Sequence, residues 1–553
     1  MLRVVPLGGL EEVGRNCMFL EYGNDIIVID MGLQFPEENM PGIDYVIPDM
    51  TYLKQHKDKI RGVIVTHAHY DHIGGIPYLV PQIGNPTVYA MALTRAIIMK
   101  RQEDFKHLGE IKVEQVHSDT VLQLGAFTVE FFHVNHNVPD TMGVAVRTPV
   151  GIVCHTADFK FDNNPVDQHP ADYGKIARLS QEGVVLLMSD STGAHRPGHS
   201  ISEKTIKENL EDVFQHSQGR IIVATFASLI SRIQQLIELA ERFDRKVVIE
   251  GYSMKSNVQI AQELGYIKIK KGTLIDVRDA ESYPPNKMLV IGTGAQGESG
   301  AMLMRIAQKE HKFIRFEQGD TVVFSSSVIA GNERTVQSLK DVIYRQGAKV
   351  YDYAMMDIHA GGHAQQEDLK LMINLMQPKF FMPVHGSYFM LRHHADLAES
   401  VGIPRTNIII AGNGKVLELT RDSARLSKEE VPSNYVFVDG LGVGDVGEVV
   451  LRDRQMLAED GIFVIITIVD AKTGKIYTSP DIISRGFIYL RENQDLLKQV
   501  RHKVKEVVEH NTTAGQHPIN WTFIRDQVRD EIGQFLYQKT HRRPMVLPVI
   551  TEI

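Results

Sequence analysis

The chain has 553 residues, 43% of them hydrophobic and 23% charged, with a formal net charge of −8. No apolar run reaches the roughly 18 residues that a membrane-spanning helix needs, and the first residues, MLRVVPLGGLEEVGRN, meet turn glycines and acids too soon for a secretory signal. Two cysteines exclude a disulfide framework and four-thiolate zinc sites and point to a reducing, cytoplasmic setting, so metal chemistry would fall to the 23 histidines and to carboxylates.

In chain order, the first elements are short strands. VVPLGG, CMFLEYG, DIIVIDMG and RGVIVTHAH are apolar runs broken by glycine, and FTVEFFHV, MGVAVRTP and GIVCHTAD follow from about Phe127 to Asp158. So many strands before the first long helix predict an α/β sandwich, here residues 1–203. Over 204–354, the runs IIVAT, VVIE, MLVI and TVVFS alternate with amphipathic stretches such as SLISRIQQLIELAERF, the pattern of a doubly wound parallel domain. It reads as an insertion, because strand-end histidine motifs resume after it in residues 355–450. The last stretch, 451–553, predicts a small α+β unit with strands FVIITIVD and KIYTS, helices over Leu496–Val508 and Ile524–Leu536, and an apolar tail, MVLPVI, suited to pairing with another subunit.

The chemistry concentrates in THAHYDHIGG. Side chains alternate along a strand, so His67 and His69 share a side, and the following turn brings Asp71 and His72 back toward them. Such a cluster suits two cations a few ångströms apart, the geometry for attack on a phosphoryl or acyl centre. His133, His155, His117 and the pair His393 and His394 fit no ligand motif and read as structural or surface residues.

The HxHxDH motif resembles the signature of the metallo-β-lactamase superfamily. Asp30 in VIDMG, His136 in NHNVPD and Asp158 in HTADFKFD resemble its other motifs. Asp190 in SDST, His363 in HAGGH and His385 in PVHGS resemble those of the nucleic-acid-processing β-CASP branch. With GIDYVIPD, TFAS, GDTVVFSSS and PDIISRGFIYLRE, the match is closest to the bacterial ribonuclease J family. The resemblance implies a metallo-β-lactamase αββα sandwich with an inserted Rossmann-like β-CASP domain and a small α+β C-terminal domain. It implies two Zn²⁺ per subunit, with Mn²⁺ tolerated by the same donors. His67, His69 and His136 would hold one and Asp71, His72 and His385 the other, with Asp158 bridging and Asp30 orienting a ligand from behind.

In that family the cations lower the pKa of a bound water and position hydroxide against the phosphodiester. Asp71 belongs to that catalytic centre, and His363, held by Asp190, would protonate the leaving group. Phosphates would meet Ser228 and the segment His359, Ala360, Gly361, Gly362 and His363, whose glycines let an anion approach the backbone. Phe226 would serve as a base-stacking ring or as core. Some relatives carry an added Ca²⁺, which would fall at Gly42, Asp44 and Asp439, where structural turns explain the residues equally well. The sequence departs from the family at Leu229, Ser299 and Ala157.

The expected activity is 5′→3′ exoribonuclease and endoribonuclease action on single-stranded RNA, favouring 5′-monophosphate ends, in RNA maturation, ribosomal RNA included, and messenger decay. The expected assembly is a homodimer or homotetramer, with RNA-degradation or ribosome-associated complexes as partners. A β-CASP nuclease acting on DNA, a small-molecule metallohydrolase and an inactive RNA-binding scaffold are the alternatives. Basic residues are expected to gather along the seam of the insertion.

Overall fold

The short apolar runs form strands in the computed structural model, which describes every residue except 38, 168, 330, 471 and 513–518. Two sheets stack face to face. The first has eight strands in the order Ala424–Glu430, Lys415–Leu419, Leu2–Gly8, Cys17–Tyr22, Asp25–Ile29, Ile60–Ile64, Val88–Ala90 and Val113–Gln115. The second has six, in the order Phe380–Val384, Val184–Asp190, Gly151–His155, Met142–Thr148, Phe127–His133 and Val121–Leu124. Ile27, Ile64, Phe131, Val144, Met188 and Met382 fill the space between the sheets. The helices Tyr173–Glu182, Gln366–Met376 and Tyr388–Ser400 cover the outer face of the second.

Pairing shows the insertion directly. Val184–Asp190 lies parallel to Phe380–Val384, with Leu186 opposite Phe380, although the whole inserted domain separates them in sequence. That domain is a five-stranded parallel sheet in the order Lys246–Ile249, Met288–Gly292, Ile221–Ala224, Thr321–Phe324 and Lys349–Tyr351. Its edge strand, Lys349–Tyr351, is not among the predicted elements. Three residues that begin with an exposed lysine carry too little apolar periodicity to read as a strand.

The sandwich and inserted domain belong to one compact unit, Met1–Gln34 with Ile47–Tyr435. The second unit is Phe35–Val46 with Val436–Ile553, so it begins earlier than Leu451 and takes in a short N-terminal segment. Its sheet has the order Asp481–Arg485, Ile462–Val469 and Met545–Glu552, packed on the helices Gln494–Asn511 and Trp521–Thr540. The segment KIYTS is not the expected strand. It makes one isolated bridge, Val469 to Ile476, and Asp481–Arg485 pairs instead. The apolar tail forms an outer strand, parallel to Ile462–Val469, that leaves Leu547 and Val549 exposed.

Where the inserted domain meets the sandwich, a buried charge cluster joins them. Glu203 accepts from Arg232 at 2.8 Å and from Lys160 at 3.2 Å, and Arg232 also donates to Ser325 Oγ and to Ile358 O. Burial would raise the Glu203 carboxyl, but Arg232 and Lys160 hold it well below the usual carboxylate range. Lys160 and Arg232 are thus seam cations whose charge is spent on Glu203 rather than presented to an anion. Removing one partner of such a buried set costs about 3–5 kcal/mol. A Glu203→Gln chain should lose that much stability at pH 7 in urea unfolding followed by circular dichroism. Because the folded-state value is depressed, the stabilisation is full above the unfolded value of about 4.3 and fades as pH falls below it. The gap between the two proteins should therefore narrow below pH about 4.

Candidate metal centre

The site sits at the ends of strands from both sheets. Ile60–Ile64 runs into Thr66–His72, Gly151–His155 into Asp158, and Phe380–Val384 into His385. Three residues turn sharply there in the left-handed region: Asp30 at φ 59°, Ala157 at φ 57° and His385 at φ 53°. Each costs about 1–2 kcal/mol of backbone strain, which the surrounding packing must offset. Ala157 holds this conformation with help from the His155 imidazole, whose Nδ1 accepts from Ala157 N at 3.0 Å.

The expected ligands converge. His67, His69, His136 and Asp158 form one group, Asp71, His72, Asp158 and His385 a second, and Asp158, Asp190, His363 and His385 a third. Within each group the ligand atoms lie within 4.8 Å of one another. Asp158 belongs to all three.

Hydrogen bonds behind the imidazoles decide which nitrogens face inward. Thr66 Oγ1 gives its proton to Asp30 Oδ2 at 2.9 Å, so at 3.0 Å it accepts from His67 Nδ1. His136 Nδ1 donates to Gly362 O at 2.7 Å. Both Nε2 atoms are therefore bare, and each lies 3.1 Å from His69 Nδ1. One proton on His69 cannot satisfy two lone pairs, whereas a cation satisfies all three nitrogens. Burial keeps His67 and His136 neutral, well below the ordinary histidine range, and takes His69 down to about 4.

At the second position His72 Nδ1 donates to Asp30 Oδ2 at 2.8 Å, and its Nε2 stands 3.3 Å from Asp158 and 3.4 Å from Asp71. Burial opposes its charging, yet Asp158, Asp71 and Asp30 carry His72 well above the usual value. His385 Nδ1 lies 2.8 Å from Asp158 Oδ1, while its Nε2 is a buried atom with no hydrogen-bond partner. An orphaned nitrogen facing Asp71 Oδ2 at 3.4 Å fits a nitrogen- and oxygen-ligated divalent cation. Asp30 accepts from Thr66 N at 2.8 Å as well as from His72.

His363 Nδ1 lies 2.8 Å from Asp190 Oδ2, and Asp190 is steadied by the Thr192 amide at 2.9 Å. Burial opposes protonation of His363, but Asp190 raises it above the ordinary histidine value. The segment His359–His363, expected to meet phosphate, is less uniform than the sequence suggests. His359 is turned inward beside Arg232, and burial pushes it down to about 3. Ala360 is buried, and Gly361 is open, with only the Arg196 guanidinium near. Gly362 has another role from the one expected: a Cβ there would stand 2.3 Å from His136 Cε1, so only glycine admits that ring. Hydrogen bonds of the described residues do not join Ser228 to this segment; it lies in the turn before the helix Ile230–Arg242, and Phe226 is half-buried. Leu229 stands at that helix's cap with no side-chain bond to offer.

The oxygens expected for calcium meet a different cation. Arg454 donates to Gly42 O at 3.1 Å and pairs with Asp439, while Asp44 Oδ2 accepts from Gly440 N at 2.8 Å. A guanidinium supplies the charge assigned there to calcium. Among the residues sequence reading left aside, His155 and His394 are buried supports, the latter bonded to Ser191 at 3.0 Å, and His133 lies beside His169 O. Asn16, which no motif marked, donates Nδ2 to Asp71 O at 3.1 Å and to Asp71 Oδ2 at 3.3 Å. Its position in a loop far from the histidine motif hides that contact.

If Gly362 matters through His136, Gly362→Ala should weaken metal binding about ten- to a hundredfold, the scale for disturbing a ligand's outer partner. Metal titration of the apoprotein measures this, and unchanged affinity would refute the role.

Four family models match the chain in succession: the metallo-β-lactamase superfamily over residues 10–213, the ribonuclease J β-CASP domain over 218–343, the Zn-dependent metallo-hydrolase RNA specificity domain over 355–410 and the ribonuclease J C-terminal domain over 449–553. Ribonuclease J2 of Bacillus subtilis is 39% identical, covering 100% of this chain and 99% of its own length. Ribonuclease J 1 of Streptococcus pyogenes is 41% identical over 99% of this chain and 97% of its own. A crystal structure of a protein of unknown function from Enterococcus faecalis shares the fold, with TM-score 0.55 and 16% identity over 77% of this chain and 100% of that one. With its ligand groups in place and its whole length matched, the chain belongs to the ribonuclease J family of metallo-β-lactamase-type hydrolases.

Proposed function

We propose that this chain is a metal-dependent ribonuclease that degrades single-stranded RNA 5′→3′ and also cuts internally, using two zinc ions per subunit, with manganese as a functional substitute. The observation that carries the reading is Asp158, one carboxylate shared by three ligand groups, with the His363–Asp190 pair beside it. His67, His69 and His136 would hold one ion and Asp71, His72 and His385 the other, with Asp158 between. When bound, such a pair lowers the pKa of a shared water and offsets the charge that develops on the phosphodiester.

The chain's own residues do the rest. Asp30 and Gly362 O fix the rings of His72 and His136. Asp190 holds His363 through Nδ1, which leaves Nε2 to deliver a proton to the departing oxygen. Gly361, with Arg196 near it, offers the open backbone for a phosphate, and a 5′-monophosphate is the end it would favour. The role is RNA maturation, ribosomal RNA included, and messenger decay in the cytoplasm, in degradation or ribosome-associated complexes. No helix of the described residues is long and apolar enough to cross a membrane. The outer strand Met545–Glu552, with Leu547 and Val549 exposed, suits pairing in a homodimer or homotetramer.

His363→Ala should lower turnover by about 10²–10⁴-fold while metal content stays; full activity would end the proton-donor role. Matched RNA and DNA strands, labelled at each end and carrying 5′-monophosphate or 5′-triphosphate, test the substrate. Mononucleotide release from monophosphorylated RNA alone is expected, and equal digestion of DNA would overturn the choice of RNA. A chain ending at Arg454 should form a smaller assembly by light scattering; an unchanged mass would count against the pairing strand.

A further inference from the structure

Between the expected ligands His69 and Asp71 stands Tyr70, 39% exposed at the first position of the short helix Tyr70–Ile73, in which His72 and Ile73 are buried. Its backbone is pinned, since its carbonyl accepts from Leu33 N at 3.0 Å and Gly74 N at 2.7 Å. The Arg101 guanidinium lies over its ring at 4.5 Å and over the Phe105 ring at 5.1 Å. One face of Tyr70 is therefore covered by a cation, and its exposure belongs to the remainder of the ring.

Arg101 lies in the last turn of the helix Ala92–Gln102, which packs against the inserted-domain helix Tyr252–Glu263. Lys100 of the first helix is ion-paired with Glu103 at 2.7 Å, so its charge is met within its own segment. Tyr252 is 73% exposed. It lines a cavity of about 220 Å³ together with Ser253, Thr293, Arg305 and Glu250, whose carboxylate is paired with Lys255 at 2.6 Å. Arg305 has no ion-pair partner among the described residues. An exposed ring beside a cation at the metal centre, Tyr70 with Arg101, and an exposed ring sharing a cavity with a cation, Tyr252 with Arg305, match the chemistry of unpaired nucleotides: bases stack on rings of any sequence while cations track phosphates.

We propose that Tyr70 and Tyr252 are the two rings of a stacking lane for single-stranded RNA, which leads from the metal loop across the helix Ala92–Gln102 to the cavity beside Arg305. This rests on the ribonuclease reading above and adds the path by which the strand is held. The lane selects for unpaired bases, because a duplex hides the faces that the rings need.

The test is fluorescence anisotropy of labelled oligouridylate, which cannot self-pair, on full-length metal-loaded protein carrying His363→Ala to prevent digestion. Tyr252→Ala should weaken binding about tenfold, the size expected when a base-stacking ring is removed, and Tyr252→Trp should restore it. Tyr70→Ala should act in the same direction. Because it adjoins two ligands, its metal content is measured alongside, and Tyr252, on the open surface, decides the matter if that content falls. A labelled RNA duplex should bind more weakly than the single strand and should not respond to Tyr252→Ala. If the parent binds oligouridylate and Tyr252→Ala binds it equally, the lane falls and the ribonuclease reading stands. If the parent binds no RNA strand at all, both fall together.

Discussion

The Asp158 carboxylate is 2% exposed and lies within 4 Å of nitrogens from His67, His72, His136, His363 and His385. Burial alone would drive its proton affinity up, but His385 and His72 hold it well below the usual carboxylate range. A buried charge of this kind must be matched by opposite charge and by hydrogen bonds, or it destabilises the fold. Much of the local architecture answers that requirement. Strands from two sheets end at one place, three residues accept left-handed backbone, and Thr66, Asp30 and Gly362 commit the far nitrogens of the imidazoles so that the near ones point inward.

The same need for matched charge shapes the junction with the inserted domain. Glu203 gathers Lys160 and Arg232, and Arg232 reaches Ile358 O just before the HAGGH segment. The return of the chain from the insertion is thereby tied to the domain it leaves. Through Gly362 O that return segment also holds His136, and through His363 it meets Asp190. The segment that returns from the insertion is therefore tied both to the inserted domain and to the site. Two cations of this seam, Lys160 and Arg232, are consumed internally by Glu203.

Seven of the fourteen sandwich strands, four of the five inserted strands and the two C-terminal helices were legible because apolar periodicity of two or near 3.6 is local. Short strands such as Val88–Ala90 and Val113–Gln115, and those after Asp158, among them Val184–Asp190 and Phe380–Val384, were not read as elements. Lys349–Tyr351 is too short to carry a period, and KIYTS has strand composition but loses its place to Asp481–Arg485, whose register against Ile462–Val469 only the folded unit sets. At Gly42, Asp44 and Asp439 the sequence shows oxygen donors but not the Arg454 that folds onto two of them.

Residue type and spacing alone determined the first donors, His67, His69, Asp71 and His72 after a buried strand, because ligand chemistry belongs to the side chain and strand alternation is local, whereas His136, Asp158 and His385 were marked only by the resemblance to a family. Type and spacing also determined that a domain is inserted, since the motif resumes after it. Only the tertiary structure decided which nitrogen of each imidazole faces the centre, why position 362 must be glycine and where Asn16 bears on Asp71. Those depend on contacts between segments tens to hundreds of residues apart, such as His136 with Gly362, and no local pattern encodes a partner that chain folding brings from so far away.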